Sequence, residues 1–420
     1  MTCKILFFFP HNPYPPKSGA HEQTLAYLAS LKEIGCAVTL TSSTLFSDTK
    51  WEKASLYGLK KGWVEDIRIY KPTPLDYCYV ASMAAPSKLT KTPLAIDSPA
   101  YTPPSMRHWF DHIAQDINPD VIFMNYVFWD RLIDHSKLSS VNCIIHTHDL
   151  ISLNLQMQHA LKKHLPGALD HKGDIHNPAL REDFFDRLSL SDDPKECAIY
   201  DKYDHTIVVS AKEASIIKQR ANSTQVSFLP VTQEVCWTAN RYTEAALFSA
   251  GSNLFNLQGY LYFVKKVLPR ILDREPAFSL HVTGSWYRGY RPPPLDGVVL
   301  RGFVPDLNPI YMSSRFVVCP VFGGTGQQVK IVEAMAHGLP VVALSAAAER
   351  SPMQHGVNGL VARNAEEFAD YVIQLWNDKA QCRRLGEAAR ATIAAQFSRR
   401  RLIEDLTTML GDPTHGGNAL

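Results

Sequence analysis

The chain has 420 residues, 45% apolar and 20% charged, with a formal net charge of +2. That length predicts roughly two or three domains, and that composition excludes a disordered chain. Near-neutrality, with Arg399-Arg400-Arg401 as the densest basic run, gives no reason to expect a nucleic-acid partner. The eight cysteines stand singly, with no C-x-x-C pair, which favours reduced thiols in a cytosolic protein over a disulfide framework.

The first element is the apolar run Ile5–Phe9, ended by Pro10. It is too short for a signal-peptide core or a membrane span and reads as a buried strand of a cytoplasmic protein. Ala20–Ile34 carries Leu25, Leu28, Leu31 and Ile34 at helical spacing, and Gly35 stops it. Strands are predicted at Ala37–Thr41, Ile67–Tyr70, Val121–Met124, Cys143–His146, His205–Val209 and Val226–Leu229. A second series follows at Ala245–Ser249, Phe278–Val282, Val298–Leu300, Phe316–Val318 and Pro340–Leu344. Apolar strands alternating with helical patterns predict parallel sheets covered by helices on both faces.

The break between the two series lies near Pro230–Tyr242. The expected division is therefore 1–235 for a first domain and 236–395 for a second. A helix over 396–412 returns to the first domain, and 413–420 is a frayed tail. The stretch from about Leu155 to Lys195 shows no clear strand and reads as a helix or two with a loop. Trp109 and Trp129 read as core, and Asp192-Asp193-Pro194 as a solvated turn.

The most informative segment is RFVVCPVFGGTGQQVKIVEAMAHGLPVVAL, from Arg315 to Leu344. It reads as strand, glycine loop, helix, stop and strand. Gly323, Gly324 and Gly326 let the backbone turn sharply and bring amides near a ligand. A helix starting near Gln327 aims its unpaired N–H groups and dipole at that loop, an arrangement suited to phosphate. Lys330, about one turn in, places an ammonium there. Glu333 lies three residues later on the same face, where a carboxylate accepts from two sugar hydroxyls. The same pattern also describes a plain strand-to-helix turn with Lys330 and Glu333 as a surface pair. No Gly-Lys-Ser/Thr follows, so the loop is not a Walker motif, and Val329 at the third glycine position weakens a dinucleotide reading.

GGTGQQVKIVEAMAHGLPVVA resembles the donor-site motif of the group 1 glycosyltransferases, also called glycosyltransferase family 4. PHNPYPPKSGAHEQTLAYLASLKEIGCAVTL resembles that family's opening, and HTHDL and TIVVSAKEA resemble its middle segments. FSAGSNLFNLQGYLYFVKKVLPRI, HVTGSW with Gly284, and LRGFVPDLNPIYMSSRFVVCP resemble its donor domain in the expected order. The resemblance implies an α/β protein of GT-B architecture: two facing Rossmann-like, doubly wound domains with a C-terminal crossover helix. It implies retaining transfer from a nucleotide sugar, a UDP-sugar for preference, without cofactor or obligatory metal. The sequence accordingly has no Asp-x-Asp.

By the same resemblance Glu333 holds the donor ribose and Lys330 the diphosphate, with Gly324, Thr325, Gly326, Gln327 and Gln328 binding phosphates through their amides. Gly302, Phe303 and Val304 flank the base, and Gly19 approaches the phosphates from the first domain. His148, in HTHDL, contacts the transferred sugar. A zinc site there would need further Asp and His ligands where Leu150-Ile151 stand, so no metal is expected, and His148 also reads as a backbone-bonded strand-end histidine. Asp149, Asn256 and Arg288 are further candidates, Asp149 also as a cap for the following helix.

The chain departs from the family in three places. Asn253, Asn256 and Gln258 stand where many relatives carry Arg and Lys, Thr325 where many carry Glu, and Gln328 where an Arg often stands. Such a site also suits a nucleotide-binding protein without turnover, or, more remotely, an NAD-dependent oxidoreductase. The acceptor, carbohydrate, lipid-linked or other, is expected near Tyr14, Lys17, His21 and the Leu155–Lys195 segment. A peripheral membrane contact is compatible with it, and the sequence leaves the oligomeric state open.

Overall fold

Each apolar run named above becomes a parallel strand, because a sheet covered on both faces needs continuous Val, Ile, Leu and Phe rather than alternation. The computed structural model describes residues 2–411 except 17, 48, 91, 139, 166–174 and 244. Lys17 and the tail 413–420 therefore lie outside the described residues.

The first sheet contains β1 (Lys4–Phe8), β2 (Ala37–Ser43), β3 (Asp66–Tyr70), β4 (Val121–Asn125), β5 (Asn142–His146), β6 (His205–Val208) and β7 (Gln225–Phe228). Its strands are parallel in the order β3-β2-β1-β4-β5-β6-β7. The second contains β8 (Ala246–Ala250), β9 (Leu280–Gly284), β10 (Val298–Gly302), β11 (Val317–Cys319), β12 (Val341–Leu344) and β13 (Leu360–Ala362). It is likewise parallel, in the order β10-β9-β8-β11-β12-β13. The strand that the sequence did not announce is β13, a three-residue edge strand reading LVA, too short for any periodicity to register.

The chain forms two compact units. One comprises residues 1–152, 192–232 and 399–420, the other 153–191 and 233–398. A single cut after residue 235 thus misses the excursion 153–191. Leu161, Leu180, Phe184 and Phe185 join the core of the second unit, Gln258 Nε2 donates to the Ala179 carbonyl at 2.8 Å, and Tyr262 Oη donates to Glu182 Oε1 at 2.6 Å. Gln258 is fully buried in that contact. The C-terminal helix Arg399–Leu410 belongs to the first unit, where Leu402, Leu406 and Met409 pack with Tyr27 and Leu31. Arg399 ties it to helix Gly19–Ile34 through the Ala29 carbonyl at 3.1 Å and Glu33 at 2.8 Å.

In both sheets the strand order reverses direction next to the first strand, between β1 and β4 and between β8 and β11. Loops leaving the carboxyl ends on either side of such a reversal run apart and open a crevice, which is where ligands of open α/β sheets bind. In the first unit that edge carries the start of helix Gly19–Ile34, Asn125 and the turn after His146. In the second it carries Gly251–Asn253, Gly284 and the loop after Cys319.

Gly284 closes β9 with φ +105°, and a Cβ there would lie 1.6 Å from the Ala250 carbonyl oxygen. The left-handed backbone adds about 1–2 kcal/mol, and the clash must part β8 from β9. Gly284→Ala is expected to lower the urea midpoint of the second unit, and an unchanged midpoint would contradict this reading.

Candidate functional site

The glycine loop of the second unit is held from beneath. Helix Val329–Ala336 starts two residues later than Gln327, with Gln328 as its N-terminal cap position and no side chain capping it. The backbone meets several of its first amides: Gln328 N donates to the Arg350 carbonyl at 3.1 Å and Val329 N to the Gln327 carbonyl at 3.0 Å. Gly323 packs so closely that a Cβ would lie 2.2 Å from Phe255 Cδ1 and 2.8 Å from Phe185 Cε2. Gly324 is left-handed at φ +102°, and a Cβ there would meet Arg350 Nη1 at 2.8 Å. Thr325 is buried and accepts from Asn154 Nδ2 at 3.5 Å, while Gly326 and Gln327 are half-buried.

The sequence reading missed Arg350. This buried guanidinium donates from Nη2 to the Gly323 carbonyl at 2.9 Å and from Nε to the Ala346 carbonyl at 2.9 Å. With the Gln328 amide oriented oxygen-inward, it also reaches that oxygen at 2.9 Å from Nη1 and 2.8 Å from Nη2. The backbone N–H of Gln328 makes a second tie, donating to the Arg350 carbonyl at 3.1 Å. A guanidinium from residue 350 thus stands beside the Gln328 side chain, and no spacing in the sequence announces it.

Lys330 is half-buried, with its Nζ donating to Asn256 Oδ1 and 5.0 Å from the centre of the Phe248 ring. Burial pushes its pKa below the usual range, the Arg350 charge adds to this, and Glu333 opposes it. Asn253 caps helix Leu254–Tyr262 by accepting from Asn256 N at 2.8 Å, and Asn256 Nδ2 donates to the Gly251 carbonyl at 3.2 Å. Asn256 therefore belongs to the site as the group that aims Lys330. Glu333 accepts from Tyr311 Oη at 3.0 Å. Tyr311 stacks on His337 with ring centres 4.6 Å apart, and His337 bonds Asn308 Oδ1 at 2.7 Å, so the carboxylate is oriented by a chain of contacts. Two cations at one glycine loop suit an anion, because an arriving anion relieves both their burial and their mutual repulsion.

The remaining donor-side candidates occupy the same sheet edge. Gly302 ends the edge strand β10 at φ +68°, followed by Phe303, 75% exposed, and half-buried Val304. Arg288 is exposed, left-handed at φ 48°, and lies over the Tyr287 ring.

In the first unit Gly19 is the first residue of its helix, capped by Ser18. His148 sits left-handed at φ 61°, stacked at 4.1 Å on Tyr126, itself at φ 66°. Non-glycine residues adopt such backbone at a cost of roughly 1–3 kcal/mol, and only where their surroundings enforce it. Here Asn125 Nδ2 donates to the Phe8 carbonyl at 2.7 Å, which leaves Oδ1 to accept from His148 Nε2 at 2.8 Å. Neutral His148 is therefore the Nε2–H tautomer and presents Nδ1 as an acceptor. The turn is fixed by carboxylates from later in the chain. Glu213 accepts from Leu150 N at 2.7 Å, and Glu196 from Ile151 N at 2.8 Å and Ser152 N at 2.9 Å. These amides are met by Glu196 and Glu213, and Asp149 beside them is half-buried.

Behind His148 lies His146, fully buried, with ring centres 4.0 Å apart. Gln23 Nε2 lies 3.1 Å from His146 Nε2, and His146 Nδ1 is buried without a partner among the described residues. His11 and His21 add to the cluster, 6.3 Å apart. No group of His, Cys, Asp or Glu suited to a metal occurs among the described residues. The other singled-out residues are structural: Trp129 is buried, Asp193 caps helix Pro194–Tyr200, and Asp192 pairs with Arg220 at 3.2 Å.

Residues 244–378 match the family model described as glycosyl transferases group 1, so the second unit carries a group 1 glycosyltransferase domain. An uncharacterized 44.6 kDa protein in the cps region of Klebsiella pneumoniae is 26% identical over 134 residues, 29% of this chain and about a third, 34%, of that relative. Among solved structures, TarM matches with TM-score 0.66 at 10% identity, covering 98% of this chain and 99% of its own. HepE of Anabaena, in complex with UDP-glucose, matches with TM-score 0.63 at 15% identity over 97% and 99%. A sucrose-phosphate synthase of Thermosynechococcus elongatus matches with TM-score 0.61 at 15% identity over 97% and 98%. The fold is that of the GT-B glycosyltransferases. No helix of the described residues is long and apolar enough to cross a membrane.

Two measurements check this geometry. Arg350→Leu removes charged hydrogen bonds worth about 1.5–3 kcal/mol and is expected to destabilise the second unit and weaken inorganic pyrophosphate binding; wild-type values for both would contradict the role given to Arg350. Burial lowers the pKa of His146 to about 3 and that of His148 well below its usual range, the latter helped by the neighbouring histidines. Unfolded histidine titrates near ~6.5, so below that pH the unfolded chain binds more protons and stability falls as pH drops. His146→Leu is expected to flatten that fall in urea titrations between neutral and acid pH, and an unchanged slope would refute the assignment.

Proposed function

We propose that the protein is a retaining, metal-independent glycosyltransferase that uses a nucleoside diphosphate sugar, UDP-linked for preference. The observation that carries the reading is the loop Gly323–Gln328 held on Arg350, with Lys330 and Glu333 on the helix it opens. In this reading the diphosphate meets the loop amides and the Lys330 ammonium, and Glu333 accepts from the ribose hydroxyls. Negative charge grows on the leaving diphosphate as the glycosidic bond breaks, so donors fixed in advance around it lower the barrier more than they strengthen ground-state binding. No metal is required in this reading because Lys330 and Arg350 supply the positive charge. The UDP preference draws on HepE, solved with UDP-glucose.

His148 serves in the first unit as an acceptor for a sugar hydroxyl, through Nδ1. The acceptor is a glycan or glycoconjugate component, in line with α-GlcNAc-glycerol and fondaparinux as ligands of a TarM variant of S. aureus. Reduced thiols, with free cysteines throughout the described residues, suit a cytoplasmic setting.

The test is a thermal-shift panel of UDP, GDP, ADP, CMP and NAD, first without and then with magnesium. UDP at about a hundred times its dissociation constant adds roughly 2.7 kcal/mol and is expected to stabilise without magnesium. Glu333→Ala is expected to weaken this binding, and Lys330→Ala to weaken it and also slow UDP release from the sugar nucleotide. Stabilisation by NAD alone would overturn the proposal; nucleotide binding without any turnover would instead identify a site that binds and does not transfer.

A further inference from the structure

The first unit contains a cavity of about 780 Å³ that none of the residues above line. Its size falls within the ~300–1,000 Å³ usual for small-molecule sites. Helix Pro104–Ile117 presents Arg107, His108 and Asp111 to it, and helix Pro194–Tyr200 presents Lys195 and Ile199, with Lys202 just beyond. Each trio follows the i, i+1, i+4 or i, i+4, i+7 spacing of one helical face. The turn after β4 closes the space with residues 130–134, whose Leu132 and Ile133 are buried.

The donors and acceptors around this cavity are unevenly engaged. Asp130 is buried and accepts from Lys202 Nζ at 2.5 Å and pairs with His135 Nε2 at 3.2 Å. Burial pushes its pKa up, yet those two partners hold it below its usual range. Asp134 accepts from Ser136 Oγ at 2.6 Å and pairs with Lys137 at 2.9 Å. These two carboxylates are occupied within the protein.

Apart from Lys202, the cations are engaged less fully. Arg107 Nε is buried without a hydrogen-bond partner, and no ion pair reaches its guanidinium among the described residues. An orphaned donor of that kind carries a desolvation penalty of about 1–3 kcal/mol, more when charged. Arg131 uses Nε alone, on the Asp97 carbonyl at 2.9 Å, and is otherwise exposed. Lys195 approaches Asp97 only to 3.9 Å. Asp111 is half-buried with no hydrogen bond or ion pair among the described residues. Two guanidinium groups with unused planar donors match a carboxylate or phosphate, and the carboxylates of Asp111 and Asp97 match hydroxyl donors.

We propose that this cavity binds a hydroxylated ligand bearing one acid group, a sugar acid or a sugar phosphate, with the acid group on Arg107 and Arg131 and the hydroxyls on Asp111 and Asp97. The assignment stands on the first unit alone and does not depend on the donor-site reading. The acid group is the shared chemistry, and two probes separate its sources.

The test titrates the full chain calorimetrically with glucuronate, glucose 6-phosphate and, as the neutral control, glucose. One or both acid probes are expected to bind about tenfold or more tightly than glucose, the tighter one naming the acid group. Arg107→Gln and Arg131→Gln are each expected to weaken that binding about tenfold, with UDP binding unchanged in the same samples. Arg131 is exposed, so its variant keeps the test informative if Arg107→Gln fails to fold. Failure of both acid probes to bind overturns the proposal, as does undiminished binding in Arg131→Gln. Loss of UDP binding by the wild type would count against the donor site alone.

Discussion

The reversal of strand order in each sheet is the constraint on which every site depends. Because β9 and β10 are laid down on one side of β8 and β11 to β13 on the other, the loops after β8 and β11 cannot cover one another. The space they leave is where Asn256, from the helix after β8, meets Lys330, from the helix after β11. The first unit repeats the solution with β1 and β4, and there Asn125 at the end of β4 meets His148 just after β5. A side-chain amide therefore holds Lys330 in one unit and His148 in the other, in each case from a neighbouring strand's end or loop.

Positive charge in the second unit is arranged so that water does little to satisfy it. Lys330 lies against the face of Phe248 and Arg350 is buried beneath the glycines. Both cations are held by neutral oxygens, those of Asn256, Gly323, Ala346 and Gln328. Neutral acceptors fix geometry without neutralising the cation they hold, a condition under which an anion gains on entering. The substitutions that looked like losses in the sequence are parts of this arrangement. Asn256 positions the lysine, and Gln328 links the loop to a cation carried elsewhere.

Much of this was legible because it is local. The strands announced themselves as apolar runs, Gly35 ended its helix as a left-handed residue at φ 92°, and the glycine loop with Lys330 and Glu333 lies within one short segment. What was not legible depends on contacts between distant positions. Arg350 reads as an ordinary turn residue until its guanidinium is seen on Gly323. Glu196 and Glu213 cap a turn some fifty residues earlier, a distance no capping pattern spans. The segment 153–191 gave no period because it packs through scattered residues such as Leu161, Leu180 and Phe185 rather than along one stripe. His148 was visible as a histidine at a strand end, but its tautomer is set by Asn125, which the sequence presents only as the last residue of a strand.

The most direct measurement of the central claim is a crystal structure of the protein with UDP. The account predicts diphosphate density against the loop 324–328 with Lys330 turned toward it, and the ribose hydroxyls on Glu333. Diphosphate density at any other surface, with the glycine loop and Lys330 unengaged, would contradict it.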